Sequence, residues 1–180
     1  MNKRIFTVTL LSVLYLSIKC IAGDTMYVNS DNGLYVRTKP DINSCELSKL
    51  SFSDEVYVIK LQDDWSMVKV DEGYGFVKSE YIQECNPKDE LIYMGNWRIT
   101  AYASTGNPCA NGNYPSEGVT VACNSLDFGT TIYIEGIGFR TVEDRGPTYL
   151  CSEWCDLYLG DVESCISWGD QYRDVYVLEE

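Results

Sequence analysis

The sequence predicts a mostly β protein in two parts: a small barrel of about five short strands, then a barrel of about six strands with one short helix. Three observations predict it. Short runs of β-branched and aromatic residues recur along the chain, divided by Gly-, Asn- and Asp-containing turn signals. A polar, proline-containing stretch, Asn86-Pro87-Lys88-Asp89-Glu90, separates the two sets and reads as a short linker. Helical spacing of apolar residues occurs at one place, within 157–168. The expected division is a leader over 1–22, a first domain over 24–85, a linker over 86–94 and a second domain over 95–180.

The leader is read from Asn2-Lys3-Arg4, a short basic region, followed by an apolar run from Ile5 to Ile18. That run has the length of a signal-peptide core and is short for a bilayer span. Cys20-Ile21-Ala22 supplies small residues, so cleavage is expected after Ala22 or Gly23. Lys19 before Cys20 argues against a lipoprotein site. No later stretch is long and apolar enough to span a membrane. The expectation is therefore a secreted, extracellular chain with no stable membrane anchor after cleavage.

Charge and composition narrow the function. The formal charge is −13, and losing Lys3, Arg4 and Lys19 takes it to −16. Such a chain repels nucleic acid and anionic membranes. Histidine is absent, which excludes Ser-His and Cys-His nucleophile systems and His-containing zinc sites. Carboxylates must carry most of any chemistry. Cys45, Cys85, Cys109, Cys123, Cys151, Cys155 and Cys165 are candidates for disulfides in a secreted chain, the odd number leaving one over. Cys45 and Cys85 would staple the first half, and the pairing of the rest is open. Cys151 and Cys155 lack the paired short spacings of a zinc site. No metal or cofactor motif is found, no G-x-G-x-x-G loop occurs, and a monomer is expected.

In the first half, Met26-Tyr27-Val28 and Leu34-Tyr35-Val36-Arg37 flank Asp31-Asn32-Gly33, a turn signal of hairpin type. Glu55 to Ile59, Trp65 to Val70 and Gly75 to Val77 supply further strands. The segments Leu34-Tyr35-Val36-Arg37-Thr38-Lys39-Pro40, Trp65-Ser66-Met67-Val68-Lys69-Val70 and Gly75-Phe76-Val77-Lys78-Ser79-Glu80-Tyr81-Ile82 resemble the bacterial SH3 (SH3b) domain. Tyr35 stands where that family usually has Asn, and Phe76 where it has Trp. The resemblance implies an SH3-like barrel that targets peptide or glycan parts of cell walls. Tyr35, Trp65, Tyr74 and Tyr81 are the candidate contacts, with a half-buried packing role the alternative for each.

In the second half, Trp97 to Tyr102, Val119 to Cys123, Thr131 to Glu135, Phe139 to Glu143 and Asp174 to Leu178 read as strands. Residues 104–116 read as an irregular loop, and Gly136-Ile137-Gly138 as a hairpin turn. The helix expected within 157–168 has Asp161 as cap and Val162, Cys165 and Ile166 along one face. Asp144, in Val142-Glu143-Asp144-Arg145-Gly146, and Asp156, in Cys155-Asp156-Leu157-Tyr158, are placed where a general acid or base would stand. The competing reading makes Asp144 an ordinary strand exit, bonding nearby backbone amides.

These segments, with Ile99-Thr100-Ala101-Tyr102, Thr120-Val121-Ala122-Cys123-Asn124 and Phe128-Gly129-Thr130, resemble the 3D domain, a six-stranded double-psi β-barrel. That family includes wall hydrolases and the barrel of lytic transglycosylases, and is related to expansins. The resemblance implies that Asp144 and Asp156 take the second and third family aspartates, with Asp156 the acid/base. The first falls on Asn124, which cannot ionise. Arg145-Gly146-Pro147-Thr148 replaces a Thr-Gly-Gly run. Arg145 is expected to pair with Asp144 or steady a glycan. Asn124 is expected to bond sugar or orient Asp156, and Thr100 and Tyr102 to line the groove.

The expected function is cleavage of peptidoglycan glycan strands with Asp156 and Asp144 catalytic, peptidoglycan being the partner. Glycosidic cleavage needs a proton for the leaving oxygen and stabilisation of an oxocarbenium-like transition state. Burial of Asp156 beside Trp154, Leu157 and Tyr158 would raise its pKa as a proton donor requires. Two alternatives stand beside this: a non-catalytic, expansin-like wall-loosening protein, favoured by Asn124, and a secreted structural or signalling module.

Overall fold

The computed structural model describes residues 23–71, 73–147 and 152–178. The expected leader over 1–22, with Cys20, and the positions of Thr148 and Cys151 lie outside the described residues. Among those described, no helix is long and apolar enough to cross a membrane.

The fold is mostly β, in two sheets. The first comprises β1 (Asp24–Val28), β2 (Leu34–Arg37), β3 (Glu46–Leu50), β4 (Glu55–Lys60), β5 (Trp65–Val70), β6 (Gly73–Lys78) and β7 (Ile82–Gln83). Their order is β3-β2-β6-β5-β4-β1-β7. Alternation explains the strands. Met26 and Val28, Leu34 and Val36, Val56 and Val58, and Val68 and Val77 turn inward to one core, leaving the intervening residues to solvent. The strand β3 carries no such alternation, and most of it is exposed. Backbone pairing to β2 holds it in place.

The expected hairpin between β1 and β2 does not form. Gly33 takes the turn conformation, at φ +76°. Yet β1 pairs with β4 and β7, and β2 with β3 and β6. The connection from Asn29 to Gly33 is longer than a two-residue hairpin loop. It carries the chain from one part of the sheet to another.

The second sheet is a closed barrel of β8 (Leu91–Ala103), β9 (Thr120–Ala122), β10 (Thr131–Ile134), β11 (Gly138–Asp144), β12 (Trp154–Gly160) and β13 (Gln171–Leu178), in the order β10-β11-β9-β12-β8-β13. The β11–β9 and β12–β8 pairs are parallel and the others antiparallel. Trp97, Ile99, Val121, Ile132, Val142, Leu157 and Val175 fill the interior. The Gly136–Gly138 turn closes the β10–β11 hairpin as expected.

Three boundaries differ from expectation. The linker is a single 3₁₀ turn, Pro87–Glu90, and β8 begins at Leu91 rather than near Trp97. Residues 154–160, in part expected as helix, form β12. The helix α1 spans Val162–Trp168, with Asp161 capping it by accepting from the Ser164 amide at 2.8 Å. Val162 and Ile166 do not face the core, being 63% and 77% exposed. Trp168 docks α1, donating from Nε1 to the Ile99 carbonyl of β8 at 3.1 Å.

The two sheets are joined by aromatic packing. Phe52, between β3 and β4, sits 5.0 Å from the Tyr133 ring and 4.9 Å from the Phe139 ring. Ser53 donates to Asn86 Oδ1 at 2.6 Å, and Lys88 pairs with Glu135.

Candidate functional site

The register of the barrel brings the two aspartates to one level. Ala122 of β9 pairs with Asp144 of β11 on one side and with Asp156 of β12 on the other. Asp156 pairs in turn with Thr100 of β8. Directly paired residues share a face of a sheet. Val121, Cys123, Cys155, Leu157 and Ile99 occupy the interior. The row Asp144, Ala122, Asp156, Thr100 therefore stands on the outer face. Ala122, itself buried, puts only a methyl group between the two carboxylates. Two strand spacings put their backbones roughly 9–10 Å apart.

Asp156 is half-buried. Its Oδ1 accepts from Thr100 Oγ1 at 2.7 Å, and that hydroxyl accepts from Trp154 Nε1 at 3.0 Å. Burial raises the carboxyl above the ordinary carboxylate range, and the Asp144 charge adds to the rise. The Thr100 bond and the Arg98 charge oppose it without cancelling it. Trp154 is buried against Gly146. A Cβ on Gly146 would stand 2.1 Å from the indole, so only glycine lets the β11 exit pass this ring.

Asp144 Oδ1 accepts from the Ala110 and Arg145 amides, at 2.9 and 2.8 Å. The strand-exit reading of this carboxylate is thus realised, and it also anchors the 104–118 loop over the row. Arg145 does not form the expected ion pair with Asp144. Its guanidinium stacks 3.8 Å over the Phe128 ring and donates to the Cys123 carbonyl. Backbone and ring have taken the donors that a carboxylate would have used. The Asn124 side chain bonds the same turn, with Oδ1 accepting from Gly146 N and Nδ2 donating to the Pro147 carbonyl, both at 3.0 Å. Tyr102 packs against Tyr158 at 5.4 Å. Its hydroxyl is buried beside Asp144 and Cys109 without a well-formed hydrogen bond. Burial and the Asp144 charge push it well above the usual phenol range.

Among the described residues none of the expected disulfides is formed. Cys45, Cys85, Cys109, Cys123, Cys155 and Cys165 are free thiols. Cys45, before β3, and Cys85, after β7, are both exposed and unbonded, so the staple expected in the first half is absent. Cys123 and Cys155 do meet, under Ala122 and Asp156. The contact between the thiols lowers Cys123 to about 6 and raises Cys155.

A second feature lies in the first sheet. Tyr35, Trp65 and Tyr81 converge on a cavity of about 480 Å³, with Ile42, Arg37 and Lys78 completing its wall. Lys78 Nζ lies 5.2 Å from the Trp65 ring centroid and Lys49 Nζ 5.1 Å from that of Tyr35. Tyr74 is not part of it and packs on Phe76 at 5.8 Å. Sequence reasoning found three of the aromatics but not Ile42, Arg37 or Lys78. It also did not find Ala122, Gly146 and Phe128, whose roles depend on what lies across the barrel.

Residues 32–83 match the family model described as bacterial SH3 domain. This match points to a cell-wall-associated protein, and bacterial SH3 domains commonly bind peptidoglycan. The comparison with curated proteins returns no match.

Proposed function

We propose that this is a secreted, wall-directed protein in which the first sheet holds peptidoglycan through the Tyr35–Trp65–Tyr81 cavity and the barrel cleaves glycan strands. The 3D-type, double-psi reading of the barrel is supported by its six-stranded closure with two parallel pairs. The single observation that carries catalysis is Asp156: half-buried, raised in pKa and oriented by Thr100.

With Oδ1 engaged by Thr100, Oδ2 is the oxygen to carry the proton. It gives that proton to the glycosidic oxygen as the C1–O bond breaks. Asp144 stands two strands away, its backbone roughly 9–10 Å from that of Asp156, and its Oδ1 is held by the Ala110 and Arg145 amides instead of being presented as a nucleophile. In this reading the sugar's own 6-hydroxyl attacks, returns its proton to Asp156 and leaves a 1,6-anhydro end; an inverting hydrolase, whose carboxyl groups stand about 6.5–9.5 Å apart, is the alternative that ordinary reducing ends would reveal. Asp144 stabilises charge and fixes the loop that covers the substrate.

The second reading, an expansin-like module that binds glycan without cutting it, is favoured by Asn124. Its carboxamide is committed to Gly146 and Pro147, so no third carboxylate enters the row. The test incubates the full chain and Asp156→Asn with purified peptidoglycan and analyses soluble products by mass spectrometry. Anhydro-muramic ends that vanish with the variant are the expected result. Ordinary reducing ends would mean hydrolysis. Sedimentation with the wall without product release would leave the binding reading.

A further inference from the structure

The junction of the two sheets encloses a second cavity, of about 370 Å³. The Asp31–Gly33 turn forms one wall and the Gly136–Gly138 turn of the barrel the other, with Phe52 and Tyr133 at its base and Lys49 and Arg140 in its lining. Arg140 is half-buried on β11. One of its N–H groups donates to the Phe139 carbonyl at 2.6 Å. The rest have no acceptor among the described residues. Burial lowers its pKa, and no carboxylate offsets that cost.

The chain carries 27 acidic residues against 14 basic ones; Arg145 and Arg173 also lack a carboxylate partner, but Arg145 has the Phe128 ring and the Cys123 carbonyl, and Arg173 has Gln171. Arg37, Arg98 and Lys88 have each found an acidic partner, in Glu46, Asp170 and Glu135. A desolvated guanidinium without a counter-ion costs stability. Its fork of donors fits a carboxylate or a phosphate bidentately, and of these a wall stem peptide supplies the carboxylate. The one acidic residue in the lining, Asp31, is exposed and makes no ion pair with Arg140.

The cavity is continuous in its lining with the aromatic groove. Asp31, Asn32 and Gly33 wall both. Lys49 bridges them, lining the junction cavity while its Nζ lies over the Tyr35 ring. A peptide lying along Tyr35 would bring its next group over the 31–33 turn to Arg140.

We propose that the junction cavity is a carboxylate subsite, in which Arg140, assisted by Lys49, takes a free carboxylate of a wall stem peptide whose body lies in the aromatic groove. The proposal rests on the wall-binding reading of that groove. It gives the barrel a part in recognition separate from Asp156, and it makes the fixed packing of the two sheets a requirement for binding.

The experiment is calorimetric titration of the full chain with a synthetic stem tetrapeptide of alanine, D-glutamate, lysine and D-alanine, and with its counterpart carrying amides in place of both carboxylates. The expected result is that the parent binds the acid form roughly 10- to 100-fold more tightly. Arg140→Gln abolishes that preference, Arg140→Lys keeps part of it, and Tyr35→Ala weakens both peptides alike. Should Arg140→Gln fail to fold, the parent's preference and the Arg140→Lys value decide. Equal affinities of the parent for the two peptides, or a preference that survives intact in Arg140→Gln, would overturn the subsite while leaving the groove reading intact. No binding of either peptide would overturn both.

Discussion

Asp144 and Asp156 flank Ala122 at the same level of the barrel, one across a parallel pair and the other across an antiparallel pair. The two carboxylates are 12 positions apart in sequence, yet neither is on a strand adjacent to the other. Their environments differ as their proposed tasks do. Asp144 is bonded by two backbone amides, while Asp156 has one hydroxyl donor and a raised pKa.

Asp156 should cost the folded protein stability at neutral pH. Its folded pKa lies above the unfolded value. Below the ordinary carboxylate range both states are protonated. As pH rises from there through the folded value, the unfolded chain releases its proton first and stability falls. Asp156→Asn should therefore melt at or above the parent at pH 7, the difference closing in acid, while glycan cleavage drops about 10²- to 10⁴-fold. A variant that melts well below the parent at pH 7 would show the carboxylate to be a stabilising group instead.

Thr100→Val removes a donor that favours the ionised form of Asp156. The carboxyl should rise further. The alkaline limb of the product-release profile, set by loss of the Asp156 proton, should move to higher pH. A limb that stays in place would assign it to another group.

Gly146→Ala should destabilise by about 1–3 kcal/mol through overpacking. The added carbon meets the Trp154 ring at 2.1 and 2.3 Å. That indole is buried and tied to Thr100, so the strain passes to the Asp156 partner. Urea melts should show the loss, and cleavage should fall with it. A midpoint equal to the parent's would mean that the turn gives way freely.

Phe52→Ala tests the coupling of the two sheets. Phe52 is 7% exposed and touches two rings of the barrel. Its loss should cost about 3–5 kcal/mol and split one calorimetric transition into two. A single, barely shifted transition would show that the sheets hold together without it.

Much of the fold was legible locally. Alternating apolar residues at Leu34 to Val36 and Val56 to Ile59 marked strands because one face of each had to be buried, and the continuous apolar run Ile132 to Ile134 marked a strand buried on both faces. The same signal was present in Trp154 to Gly160, where Cys155 and Leu157 go inward and Trp154, Asp156 and Tyr158 outward. The helical pattern of Val162, Cys165 and Ile166 competed with it there. β3 left no signal, since Glu46 to Leu50 is held by pairing and buries little.

By itself the sequence determined residue chemistry and period: an acidic chain without histidine, two sets of short strands, and Asp144 at a strand end, whereas Asp156 falls within β12. Only the tertiary structure decided which strands are neighbours. Pairing β9 with both β11 and β12 placed Ala122 between the carboxylates. Closing the barrel buried the thiols Cys123 and Cys155, and the Asn124 and Arg145 side chains went to the turn beside them. Strand partners are chosen by contacts distant in sequence, through a core that must close without voids. No local pattern encodes which face, or which guanidinium, is left without a partner.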